Sequence, residues 1–318
     1  MKVNKALRDL LKKDEVLITL GAHDALSAKI IEKAGIPAII TAGFGISASH
    51  LGKPDAELYT MTENLAIVRN MTASVAIPVI ADLDTGYGNA INVIRTVKEF
   101  ERAGCAGGII EDQFAPKRCP ACVNAVENIP LDEAVGKIEA AVDAREDSAF
   151  LIIARTDTAG SEAVDRANAY FEAGADMAMF ISKAFPSMRE LDKQSKNVKG
   201  PFCLNFFEGV HYQSWFQGEW KLGDLKKLGV KILNYPWVVL FAATQAMQKV
   251  AAHMARHHTM QGLENPPRIS HEDFIDLIGF PEISALQMKY MPSSKAGEEG
   301  MGSNRVRKSR DYTERHKS

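Results

Sequence analysis

The phrase Ala-Gly, set at the end of a polar, helix-like segment and followed closely by a short apolar run, keeps returning along this chain. Lys33-Ala34-Gly35 precedes the run 38–41, Arg102-Ala103-Gly104 precedes 108–110, and Glu172-Ala173-Gly174 precedes 177–181; Lys227-Leu228-Gly229, before 230–233, is a further copy. Glycine reaches left-handed φ without a Cβ penalty, so each copy reads as a helix that ends on a glycine cap and turns at once into a buried strand. A repeated αβ unit of this kind commits the chain to a parallel sheet with helical crossovers.

Eight apolar runs read as strands: 16–20, 38–41, 79–81, 108–110, 150–154, 177–181, 202–204 and 231–234. Each is followed by a segment of helical character, such as 92–102, 131–144 and 163–171. Eight βα units in about 250 residues fit a closed (β/α)8 barrel of the TIM type better than an open doubly wound sheet. Beyond the eighth helix, 270–288 reads as one or two extra helices that pack on the barrel or on a neighbouring subunit. The expected division is therefore a barrel domain with C-terminal helices over 1–291 and a mobile, charged tail over 292–318, where Gly, Ser, Lys, Arg and Glu leave little to bury.

Composition narrows the function classes. With 46% hydrophobic and 25% charged residues the chain can bury a large core, and its formal net charge of -2 gives no broad footprint for nucleic acid or an anionic membrane. No signal peptide is visible in the charged, helix-like first fifteen residues. The longest apolar stretch, 238–255, is broken by Thr244, Gln245, Gln248 and Lys249, which excludes a membrane span. Four cysteines in a chain this long make no disulfide framework, so a cytoplasmic setting is expected.

A barrel carries its active site at the C-terminal ends of its strands. There the sequence has Asp82 and Asp84, Glu111 and Asp112, Arg155 and Asp157, and Asn205. Side-chain alternation along a strand is expected to point Asp82 and Asp84 the same way. Carboxylates so placed repel one another unless neutralised, and Mg²⁺, which takes few protein ligands and leaves positions for an oxyanion, answers that need. Arg155 suits a substrate carboxylate, with pairing to Asp157 as the structural alternative, and Asn205 can donate to the same oxyanion.

The long connection 113–130 reads as a lid over the barrel mouth. In it Cys119 follows Lys117 and Arg118, and flanking cations are expected to stabilise a thiolate fit to act as proton donor or nucleophile. Cys119 and Cys122 also have Cys-x-x-Cys spacing, which leaves zinc, without a second pair, and a redox disulfide as competing readings. Gly43-Phe44-Gly45-Ile46-Ser47-Ala48 matches the dinucleotide fingerprint, with Glu63 about twenty residues on, but falls on the second strand rather than the first. Its backbone amides read better as a nest for a small carboxylate. His23, at the end of strand one, reads as a ligand, a base or a structural histidine.

Taken together, Asp82-Leu83-Asp84-Thr85-Gly86-Tyr87-Gly88-Asn89, Glu111-Asp112-Gln113, Pro116-Lys117-Arg118-Cys119, Ala154-Arg155-Thr156-Asp157 and Leu51-Gly52-Lys53-Pro54-Asp55 resemble the isocitrate lyase and phosphoenolpyruvate mutase superfamily. They are most similar to its branch holding 2-methylisocitrate lyase, dimethylmalate lyase and carboxyphosphonoenolpyruvate mutase. The resemblance implies a (β/α)8 barrel and a homotetramer that exchanges C-terminal helices. It implies Mg²⁺ held directly or through water by Asp55, Asp82, Asp84 and Glu111, with Asp55 counted among the substrate-binding residues as well. The amides of Gly43 and Phe44, with Arg155 and Asn205, would bind the substrate, and Cys119 would be the acid of the lid, with Lys117 beside it among the catalytic residues. Two departures stand out. Lyases of this group continue Lys-Arg-Cys with Gly-His, where this chain has Pro120-Ala121; and at strand six they carry a glutamate, where it has Ile181-Ser182-Lys183, as phosphonate enzymes do. Phosphonate mutases, however, have asparagine where Cys119 stands.

The expected function is a Mg²⁺-dependent lyase that cleaves a C–C bond of a 2-hydroxy di- or tricarboxylate to release a 2-oxo acid. The alternative is P–C bond chemistry on a phosphonopyruvate-type substrate at the same site. An NAD-dependent oxidoreductase and a catalytically silent barrel complete the set. At strand six, an apolar wall with a nearby cation is expected to face the substrate.

Overall fold

A computed structural model describes residues 2–123, 125–206, 221–264 and 268–291. Eight strands, β1 Leu17–Ala22, β2 Ile39–Thr41, β3 Val79–Asp82, β4 Gly107–Glu111, β5 Leu151–Thr156, β6 Met177–Ile181, β7 Phe202–Asn205 and β8 Val230–Tyr235, pair in parallel in chain order. Pairing of β1 with β8 closes the barrel. The glycines that end the preceding helices have the left-handed φ the repeated phrase requires: 88° at Gly35, 91° at Gly104, 95° at Gly174 and 91° at Gly229.

Alternation along the strands sorts the core into two layers. Inside the barrel lie Ile40, Ile80, Ile109, Ile153, Met177, Met179, Cys203 and Ile232, and Leu7 joins them. Leu7 belongs to the first helix, α1 Lys2–Lys12, whose Val3, Leu10 and Leu11 pack on the same cluster. Full burial of Leu7 contributes about 1.5 to 3 kcal/mol. Arg8 ties α1 to the chain entering β5, donating to the carbonyls of Ala149 and Phe150 and pairing with Asp176 at 2.9 Å.

Helices α2 Ala25–Lys33, α5 Ala90–Arg102, α6 Leu131–Ala144, α7 Gly160–Glu172, α8 Met188–Ser195, α9 Leu222–Lys227 and α10 Val238–His257 follow strands one and three to eight. The connection after β2 differs: a single helical turn, α3 Gly43–Ile46, runs into a π-helical turn, Ser47–Leu51, before α4 Met61–Ser74 begins. This extra chain brings Asp55, Glu57 and Tyr59 to the barrel mouth.

The chain forms two compact units, Met1–Gln261 and Gly262–Ser318. Helices α11 His271–Leu277 and α12 Phe280–Tyr290 belong to the second. The expected tail 292–318 lies outside the described residues. Among those residues, no helix is long and apolar enough to cross a membrane.

Candidate active site

Strand ends gather the charged groups. β3 closes on Asp82, β4 on Glu111 and β7 on Asn205, while Glu111 faces Arg155 across the β4–β5 ladder. That register sets Arg155 Nη1 2.8 Å from Glu111 Oε2. Arg155 also grips Asp157 bidentately, Nε and Nη2 each donating at 2.8 Å. The structural pairing and a place in the cavity lining thus occur together.

Asp82 and Asp84 do converge, but not by strand alternation. β3 ends at Asp82, and Asp84 lies beyond it in a left-handed turn with φ of 52°. The turn folds back so that the Asp84 N–H donates to Asp82 Oδ1 at 3.1 Å. Asp84 is fully buried and accepts from the hydroxyls of Tyr59 and Tyr87. Burial pushes its carboxyl up to about 7 against the pull of Lys117.

Lys117 enters this group from the lid. Its Nζ lies 2.6 Å from Asp84 Oδ1, 3.4 Å from Asp55 Oδ2, 3.8 Å from Glu111 Oε1 and 4.0 Å from Asp82 Oδ2. Burial disfavours its charge, but the four acids outweigh burial and hold the ammonium well above its usual range. Even so, five buried acids, Asp55, Asp82, Asp84, Glu111 and Asp157, share two buried cations, Lys117 and Arg155. Asp55 Oδ1 and both Glu111 oxygens are buried without an accepted hydrogen bond, and burial pushes the Glu111 carboxyl well above the usual range.

Four acids around one ammonium, with Asp55 Oδ1 accepting no hydrogen bond and Glu111 held only by ion pairs, have the donor chemistry a hard divalent cation requires. Among the described residues, no three His, Cys, Asp or Glu side chains form a ready metal-holding group; Lys117 sits at their focus.

Above the acids, Gly43, Phe44, Asp55, Asp82, Cys119, Arg155, Asn205 and Trp237 line one cavity. Gly43 and Phe44 open α3, so their amides have no carbonyl partner within that helix. A Cβ on Gly43 would stand 2.8 Å from Asp82 Oδ2 and 2.9 Å from the Tyr59 hydroxyl, so only glycine lets this turn approach the acids. Asn205 is oriented by a relay: Thr19 donates to Asn234 Oδ1 at 2.9 Å, and Asn234 Nδ2 donates to Asn205 Oδ1 at 2.7 Å. With its oxygen committed, Asn205 meets a ligand as a donor. The cavity measures about 40 Å³, space for about two or three waters and too little for a dicarboxylate, so the lid must move to admit one.

Cys119 reaches the cavity but is no thiolate. Its backbone N–H donates to the Asp55 carbonyl at 3.3 Å, its side chain is buried, and burial pushes its thiol up to about 12. The expected cationic stabilisation fails because Lys117 turns to the acids and Arg118 is exposed. Cys119 instead packs in an apolar cluster with Ile181, Phe206 and Trp237, against which Phe44 and Ala121 rest. A thiol that keeps its proton at neutral pH can donate it, whereas the nucleophile is the thiolate. Cys122, by contrast, is exposed, and both cysteines are free. They flank a turn closed by the Cys122 N–H on the Cys119 carbonyl at 2.9 Å, with no third sulfur near enough to make a zinc set among the described residues.

Strand six corrects a further expectation. Neither Ile181 nor Lys183 lines the cavity: Ile181 is buried in the apolar cluster that also holds Cys119, and Met179 is the strand-six residue in the lining. Lys183 Nζ donates to the carbonyls of Pro120 and Val123 in the lid. The fingerprint-like glycines serve packing: Gly45 lies against His23, and Glu63 completes the capping box of Thr60. Burial pulls the His23 ring below its usual range, and it stands outside the cavity lining.

Several site residues escaped the sequence reading. Asn234, in the last strand, and Trp237, just beyond it, were within reach of the strand-end rule. Glu57, which accepts from Thr85 Oγ1 and from the Lys117 N–H, and Tyr59 lie in the irregular connection after β2, where no periodicity marks them.

Residues 7–255 match the family described as Phosphoenolpyruvate phosphomutase. The 2,3-dimethylmalate lyase of Eubacterium barkeri is 38% identical over 91% of this chain and 99% of its own length. The 2-methylisocitrate lyase of Aeropyrum pernix is 35% identical over 86% of each chain. Among solved structures, a phosphonopyruvate hydrolase in complex with oxalate and Mg²⁺ superposes with a TM-score of 0.80 at 32% identity, covering 92% of this chain and 100% of that one.

Proposed function

The chain belongs to the phosphoenolpyruvate phosphomutase family and is an enzyme, and from that premise we propose that it is a Mg²⁺-dependent lyase that cleaves a C–C bond of an alkyl-substituted 2-hydroxy dicarboxylate or tricarboxylate and releases a 2-oxo acid. The observation that carries this reading is the Cys119 thiol, buried in the wall of the cavity that Arg155 and Asn205 also line. Breaking a C–C bond leaves an electron pair on the departing carbon, and that carbon needs a proton. A thiol held in its acid form can supply it.

Asp82, Asp84 and Glu111, with Asp55 toward the substrate, would hold Mg²⁺ in place of the Lys117 ammonium. Bound there, the ion would offset the charge of these acids and stabilise charge developing on the substrate oxygens. The Gly43 and Phe44 amides and Asn205 donate to the 2-oxo acid portion, and Arg155 binds its carboxylate. As the hydroxyl becomes a carbonyl it passes its proton to a carboxylate on the side where Asp55 and Asp82 line the cavity. Cys119 Sγ delivers a proton to the carbon that leaves. Phe44, Trp237 and the lid exclude water from that carbon; the Phe44 and Trp237 rings stand 4.9 Å apart.

The second reading, P–C bond chemistry, draws on the Ile181-Ser182-Lys183 segment and on the hydrolase relative. One assay separates the two: 2,3-dimethylmalate, 2-methylisocitrate, isocitrate and phosphonopyruvate are supplied with Mg²⁺, and 2-oxo acid and phosphate release are followed. Alkyl-substituted acids are expected to release 2-oxo acid fastest, because Phe44 and Met179 in the cavity lining offer no partner to an added polar group. Ile181→Glu is expected to shift the ranking toward isocitrate. Phosphate release from phosphonopyruvate as the fastest reaction would replace the lyase reading, and an unchanged ranking in the variant would remove strand six as the source of specificity.

The same reading includes a homotetramer that exchanges C-terminal helices. Along the 20 residues of α10 only Leu240 is buried, while Phe241, Met247 and Met254 are exposed. On α12, Ile283, Leu286 and Met288 are exposed as well. Light scattering is expected to give four times the chain mass; a monomer would remove this part of the reading.

A further inference from the structure

Three features of the lid bear on how it is held. Its neck is closed by the Phe114 N–H on the Glu127 carbonyl at 2.8 Å and by an antiparallel bridge between Gln113 and Asn128. The neck is anchored to the barrel, because Gln113 donates to Asp157, and Asn128 to Asp112. The tip that carries Cys119 is held on one flank by the Lys117 ion pairs and by the Cys119 N–H on the Asp55 carbonyl, and on the other by Lys183. Lys183 Nζ donates to the Pro120 carbonyl at 3.2 Å and to the Val123 carbonyl at 3.0 Å, spanning the Cys119–Cys122 turn.

Lys183 stands on firm ground. It lies in the 3-10 turn Ser182–Ala184 that directly follows β6, between the buried Ser182 and Ala184, with Phe180 and Phe185 in contact at 5.1 Å behind it. An ammonium with three donors can satisfy two convergent carbonyls without the fixed geometry a guanidinium imposes, so the contact can break and re-form as a unit. A second cavity of about 520 Å³, lined by Pro120, Val126, Asn128 and Lys183, borders the tip, so the tip is not packed solidly on every side. The substrate cavity, at about 40 Å³, requires the lid to move.

We propose that Lys183 is a positioning residue, a latch that holds the lid tip down so that the Cys119 thiol faces the cavity, and that it must release for substrate to enter. This goes beyond the lyase reading, on which only its catalytic consequence rests. The latch itself is a property of the ligand-free protein.

The test uses the full chain without substrate, labelled with iodoacetamide and read cysteine by cysteine by peptide mass spectrometry. In the wild type, exposed Cys122 is expected to label ahead of Cys119. Lys183→Met keeps the aliphatic stem and removes the donors; Cys119 labelling is expected to rise about tenfold or more, the effect of losing charge-assisted hydrogen bonds that hold one state. Cys105 and Cys203, buried in the barrel core, should stay unlabelled, which separates local opening from unfolding. Lys183→Arg, which keeps a cation and donors, should return Cys119 to near the wild-type rate. If Cys119 labels in Lys183→Met at the wild-type rate, or rises only together with Cys105 and Cys203, the latch is wrong. The turnover number of Lys183→Met is expected to fall and to recover in Lys183→Arg; faster labelling with unchanged turnover would leave the latch standing and overturn Cys119 as the acid.

Discussion

Asp82→Asn is expected to lower the turnover number by about 100- to 1,000-fold while leaving the melting temperature unchanged. Asp82 faces the cavity, and asparagine of the same shape leaves no void and can still accept the Asp84 N–H, so what is lost is one negative charge toward the metal. Asp84→Asn should be as inactive but also less stable, by about 1 to 3 kcal/mol. Asp84 is fully buried and accepts from Tyr59 and Tyr87 and from the Lys117 ammonium, and an amide must turn its NH₂ toward one of these donors. Isothermal titration with MgCl₂ alone gives a readout independent of turnover: binding should weaken in both variants. Full activity of Asp82→Asn, or of the wild type in excess EDTA, would overturn the metal site.

The second large effect is expected at Cys119. Cys119→Ser should reduce the turnover number by about 100- to 10,000-fold, the usual contribution of a positioned general acid, with little change in KM because the thiol is not among the groups that bind the substrate carboxylate. Cys122→Ser, outside the cavity, should remain active. The pH profile carries a further sign. An unperturbed thiol loses its proton near 8.5, and an acid of that kind would cost activity above it. Burial raises the Cys119 thiol to about 12, so the acid form persists and turnover should show no alkaline fall near pH 8.5 to 9.5 from this group. A Cys119→Ala enzyme with wild-type turnover, or an alkaline limb near 8.5 that vanishes in Cys119→Ser, would show that the acid is misassigned or that its proton is held differently.

Much of this was legible in the chain, for identifiable reasons. The Ala-Gly phrases and the apolar runs are local signals, since a glycine cap and a buried strand are set by neighbouring residues; they determined the number, order and approximate bounds of the eight strands. Because barrel chemistry collects at strand ends, the same signals brought Asp82, Glu111, Arg155 and Asn205 together before any coordinates.

What only the tertiary structure decided depends on groups distant in sequence. Asp84 reaches Asp82 through a left-handed turn rather than through strand alternation. Cys119 and Lys117 are two residues apart, and their charges follow opposite courses: Lys117 is buried among acids from three other segments, so it keeps its proton, while Cys119 is buried among apolar side chains with no cation beside it, so it keeps its own. Lys183 looked like a cation for the substrate, yet its amine turns to two carbonyls about sixty residues earlier in the chain. The sign of a neighbour can be read from a sequence, but its direction and its solvent cannot. Desolvation and Coulomb terms act through space, and it is the fold that decides which side chains share that space.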